Sequence, residues 1–119
     1  MMINNNKVLN SAKGKLGEAK ATEYLKSKGY KILVQNFKTK IGEIDIIASK
    51  DNFVVFVEVK ARKNSDFGLP REAVNYYKQR KIRMVATQYL KSTNKLNTPC
   101  RFDVVEILGD KIEHIENCF

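Results

Sequence analysis

A chain of 119 residues is long enough for one hydrophobic core and too short for two. Apolar residues at 43% and charged residues at 29% are ordinary globular values, with no internal repeat and no low-complexity tract. The imbalance lies in sign: 22 Lys and Arg against 13 Asp and Glu leave +9. Residues 60–95 hold ten basic side chains against Asp66 and Glu72 alone, a footprint that fits a polyanion better than a generally basic surface.

Residues 1–12 are rich in Asn and Lys and read as a flexible segment before a single domain over 13–119. They lack an apolar signal region, and no run reaches membrane-spanning length, so a cytoplasmic protein without a membrane partner is expected. A helix is predicted from about Lys13 to Lys28, stopped by Gly29. Gly14, Gly17, Glu18, Ala21, Tyr24 and Leu25 share its packed face, and the two glycines would allow close approach to a sheet. Glu18 on that face is either a snorkelling or capping carboxylate or a functional one.

Tyr30–Phe37 is the first predicted strand. Glu43–Ala48 and Phe53–Lys60 follow as a hairpin around the polar cluster Ser49-Lys50-Asp51-Asn52. A symmetric turn centred on Lys50/Asp51 pairs Ile47 with Val54 and Asp45 with Phe56. Side-chain alternation then puts Asp45 on one face with Val54, Phe56, Glu58 and Lys60. Glu58 becomes the diagonal neighbour of Asp45, at about 7–8 Å. Carboxylates in apolar strands are costly unless paired or bound to metal. Asp45 with Glu58-x-Lys60 is therefore either a surface ion pair at a strand edge or the layout of a Mg²⁺ site for cutting phosphodiesters.

Asn64–Pro70 is a predicted loop, and a second helix runs from about Arg71 to Lys91 with Pro70 at its start. Ile82, Val85, Ala86 and Tyr89 form its apolar stripe; the same stripe continues backwards through Lys78, Gln79, Asn75 and Arg71. Tyr76 and Tyr77 offer faces for bases, with core packing the expected role of at least one. After a loop over Ser92–Pro99, Arg101–Ile107 and Lys111–Ile115 close the chain around Gly109-Asp110. The order α-β-β-β-α-β-β implies an α/β fold with a mixed sheet between helices. Cys100 and Cys118 have no metal-ligand spacing, and the lone His114 argues against histidine-based catalysis.

The series Gly17-Glu18, Tyr24-Leu25, Gly29-Tyr30, Asn36, Gly42-Glu43-Ile44-Asp45, Phe56-Val57-Glu58-Val59-Lys60-x-Arg62, Phe67-Gly68 and Arg101-Phe102-Asp103-Val104 resembles the YraN-like family of small bacterial proteins. The likeness runs from about residue 13 to 110. That family looks like a member of the PD-(D/E)xK nuclease superfamily, near the archaeal Holliday-junction resolvases. The resemblance implies a restriction-endonuclease-like mixed central sheet flanked by helices, and a Mg²⁺-dependent nuclease in which Mn²⁺ substitutes. It assigns Asp45 and Glu58 as metal ligands with the Val59 carbonyl, Glu18 as a further ligand, and Lys60 to the attacking water. Flanked by Glu58, Lys60 is expected to stay cationic. Gln79 takes the place of a polar helix residue near the site, and Arg62, Lys63, Lys78, Arg80, Lys81 and Arg83 would hold the nucleic-acid backbone. DNA is favoured over RNA, with branched or flapped forms in view, and junction-cutting relatives imply a homodimer. The competing readings are a non-catalytic nucleic-acid-binding module and a protein-interaction scaffold in which Glu18, Asp45, Glu58 and Lys60 form a structural ion-pair network.

Overall fold

The computed structural model describes residues 16–62 and 74–119. The expectations for residues 1–12 (flexible), Gly14, Lys63, 64–70 (loop) and Pro70 to Arg71 (helix start) fall outside the described residues. The described elements are a helix through residues 16–27 (α1), strands β1 (Lys31–Lys38), β2 (Glu43–Lys50) and β3 (Phe53–Arg62), helix α2 (Tyr76–Ser92), and strands β4 (Cys100–Leu108) and β5 (Lys111–Ile115). They form one sheet in the order β1-β2-β3-β4-β5, parallel only between β3 and β4, where α2 makes the crossover. The predicted α-β-β-β-α-β-β order holds, and the mixed sheet is consistent with a restriction-endonuclease-like fold.

Alternation along β3 and β4 sends side chains to two cores. Phe56, Val54, Phe102 and Val104 pack with Ile82, Val85, Ala86 and Tyr89 of α2. Val55, Val57, Val105 and Ile107 pack with Ala21 and Leu25 of α1. Gly17 brings α1 close to the sheet: a Cβ there would lie 3.2 Å from the Ala61 Cβ, tighter than ordinary contact. A residue without a side chain is what this approach requires.

Two expectations need correction. The hairpin turn is centred on Asp51/Asn52, not Lys50/Asp51. Both residues take left-handed φ values, 51° and 69°, the pattern of a two-residue turn whose twist matches its strands. Ser49 and Lys50 therefore join the ladder, and Ile47 pairs with Phe56 instead of Val54. The second helix starts at Tyr76, five residues later than Arg71. Asn75 is its N-cap, in extended conformation with its side chain accepting from the Lys78 N–H at 2.9 Å, which ends any continuation backwards.

Candidate functional site

The two-residue turn decides where the first pair of carboxylates meets. Continuing the β2–β3 register one step beyond Ile46↔Val57 places Asp45 directly opposite Glu58, not diagonal to it. The ladder stops there, and Asp45 Oδ2 accepts the Val59 N–H at 2.8 Å in its stead. On the other side, between the pairs Gln35↔Ile46 and Phe37↔Ile44, Asn36 takes a left-handed φ of 54° as β1 passes Asp45. Glu58 is only 8% exposed.

Electrostatics follow from this crowding. Burial, then the facing Glu58 charge, push the Asp45 pKa from 3.8 up to about 7; the Val59 N–H and Lys78 oppose the rise, and Glu18 adds to it. Glu18, half-buried on α1, is a minor contributor to that rise. Two ammonium groups compete for Glu58: Lys78 Nζ lies 2.5 Å from Oε1 and Lys60 Nζ 3.8 Å. Burial and the neighbouring Lys78 lower the Lys60 pKa, while Glu58 and Asp45 oppose the fall. Burial acts to lower Lys78 as well, but its hydrogen bond to Glu58 leaves it raised. Among the described residues, no three Asp, Glu, His or Cys side chains stand close enough together to hold a metal ion by themselves.

Other predicted contacts are dispersed. Arg62 is nearly buried, its Nη2 2.5 Å from Glu106 Oε2. Gln79 donates from Nε2 to the Val74 carbonyl at 2.8 Å. The Arg83 guanidinium stacks over Phe102 and Phe119, at 5.2 and 5.8 Å from the ring centroids. Arg80 and Lys81 are exposed, and Lys63 lies outside the described residues.

Between residues 17 and 107 the chain matches the uncharacterised protein family UPF0102. It belongs to this family. A UPF0102 protein of Thermodesulfovibrio yellowstonii is 54% identical over 106 residues, which cover 89% of this chain and 94% of the relative. One from Clostridioides difficile is 51% identical over 112 residues, covering 92% and 98%. One from Caldanaerobacter subterraneus is 48% identical over 120 residues, covering 95% and 98%. In this UPF0102 chain, no helix among the described residues is long and apolar enough to cross a membrane.

Lys78, expected only as a backbone contact, is at the site itself, and two further groups escape the sequence reading. Glu106, 3% exposed, pairs in register with Lys60 across β3 and β4 and so extends the polar row on that face. Asp103, fully buried on the opposite face of β4, accepts from Arg101 Nε at 3.0 Å and from the Asn117 N–H at 3.0 Å, and lies 2.7 Å from His114 Nε2. Burial would raise its pKa, but these bonds hold it below the usual carboxylate range. The rule that singled out Glu58, a carboxylate inside an apolar strand, flags both Asp103 and Glu106.

Proposed function

We propose that this UPF0102 protein is a Mg²⁺-dependent phosphodiesterase of the PD-(D/E)xK type acting on nucleic acid, DNA in preference to RNA. The observation that carries the reading is Asp45 facing Glu58 with its pKa raised to about 7. A half-buried carboxylate set against a buried one favours an added cation, and their hard oxygens suit Mg²⁺. Two protein carboxylates would leave the remaining positions of such an ion to waters and substrate oxygens, as Mg²⁺ prefers. Asp45 and Glu58 would hold the ion, with Glu18 acting on it from α1. When bound, it supplies charge neutralisation and a more acidic water.

The chain's own groups supply the rest. Lys60, lowered in pKa, sits beside Glu58 where it orients or deprotonates the attacking water. Lys78 keeps its charge and offers it to a phosphate oxygen. A structural ion-pair network is the competing reading, favoured by the short Lys78–Glu58 contact.

Lys60→Ala is the test, on flapped, branched and linear DNA with Mg²⁺ and Mn²⁺. Cleavage should fall by about a hundredfold or more while Mn²⁺ binding persists, and Lys60→Arg should not restore it. Equal activity in wild type and Lys60→Ala would place the chemistry elsewhere.

A further inference from the structure

Helix α2 has an unusual surface. Its 17 residues contain Lys78, Arg80, Lys81, Arg83 and Lys91 and no acidic residue. Its first two residues, Tyr76 and Tyr77, are 69% and 76% exposed, with ring centroids 6.3 Å apart and planes at 71°. The expectation that one of them would pack in the core is overturned. Other tyrosines of the chain are placed differently. Tyr89 is buried against Phe37 and Phe56, Tyr30 is buried beside His114, and Tyr24 meets the same imidazole edge-on. Two large rings left in water contribute nothing to the core, and the very next residue, Lys78, reaches Glu58.

Chemistry narrows the occupant. Positive charge along the helix, with Arg80 and Lys81 exposed one turn on, matches a phosphate backbone. Exposed aromatic faces beside such a track match bases, since every base has a π-face. In a duplex those faces are covered by neighbouring pairs, so the rings can meet only unpaired bases.

We propose that Tyr76 and Tyr77 form a stacking platform for unpaired nucleobases, so that a single strand or flap crosses the start of α2 and reaches Asp45, Glu58 and Lys60. This rests on the phosphodiesterase reading and narrows its substrate to strands with an unpaired segment at the site.

The test is metal-free binding of the full chain to a short single strand carrying 2-aminopurine, and to a blunt duplex of the same length. Tyr76→Ala/Tyr77→Ala is compared with Tyr76→Phe/Tyr77→Phe. Single-strand affinity of the Ala pair should fall from about fivefold to a hundredfold per ring, with duplex affinity nearly unchanged. The Phe pair should bind like wild type, which should quench 2-aminopurine on binding. Because both side chains are exposed, the Ala pair should melt with wild type. Should it unfold, quenching by wild type and the Phe pair decides instead: none means no platform. Single-strand binding unchanged in the Ala pair overturns the platform alone, and the Lys60→Ala test still judges the nuclease reading. A wild type that binds neither strand form overturns both.

Discussion

Asp45→Asn separates a cation site from an ion-pair network. Folding raises the Asp45 pKa from 3.8 to about 7, chiefly through burial and then Glu58. The native state therefore holds a proton that the unfolded chain releases, and stability falls as pH rises between those two values. At about 1.4 kcal/mol per unit, a shift of about three units sets a ceiling near 4 kcal/mol, reached above about pH 7. Coupling to Glu58 and partial hydration reduce this, so about 1–2 kcal/mol is the expected gain on replacing the carboxyl by an amide. An Asn side-chain oxygen can still accept the Val59 N–H. For a domain of this size that gain raises the melting temperature by about 3–8 °C. Thermal melts with chelator across about pH 4 to 9 should show the two proteins together at the acid end and diverging upward, the variant being the more stable. Added Mg²⁺ should then raise the wild-type melting temperature and leave the variant unmoved. A variant that melts lower at pH 8, or a difference that ignores pH, would refute the reasoning and favour the ion-pair network.

Two further outcomes follow from the same contacts. Lys78→Gln removes the cation nearest Glu58, so the metal-free protein should melt lower and Mn²⁺ should stabilise it more than wild type; an unchanged Mn²⁺ response in calorimetry would show that Lys78 and the ion do not compete. Asp103→Asn should destabilise by about 1–3 kcal/mol, because it removes the charged acceptor of Arg101 and leaves that half-buried guanidinium with Glu116 for counter-charge. Since folding lowers the Asp103 pKa, that loss should be full at neutral pH and shrink in acid, the opposite slope to Asp45; urea melts at two pH values check it.

Much of the fold was legible because it rests on periodicity. The stripe Ile82, Val85, Ala86 and Tyr89 is the buried face of α2, and Gly17, Ala21 and Leu25 are buried on α1, as helical spacing required. Less legible were positions decided by one-residue choices. Four polar residues in a row, Ser49 to Asn52, do not say which two turn, and the centre slipped by one. Because that slip moves the pairing by two residues, Asp45 stayed on the face of Glu58 while their separation changed. At the second helix Pro70 is a conspicuous start signal, whereas Asn75 is the true cap, and only that start puts Lys78 in the first turn. No periodicity argument finds Glu58 to be shared between Lys60 and Lys78, since one comes from β3 and the other from α2.

The two faces of the sheet treat their carboxylates in opposite ways, and this contrast says more about function than either site alone. Asp103 is met by a guanidinium, an imidazole and a backbone N–H, so its charge is stabilised where it lies. Both of its oxygens are committed, and a metal ion would have to break bonds to reach it. Asp45 accepts one backbone N–H, faces another carboxylate, and is pushed towards protonation. Folding has no use for such a pairing, because an amide at the same position would keep the Val59 bond without the repulsion. An added cation removes the repulsion at Asp45 and finds a ready oxygen, whereas at Asp103 it would find none. Of these two carboxylates, Asp103 is the one whose charge the fold holds, and Asp45 the one whose charge it resists.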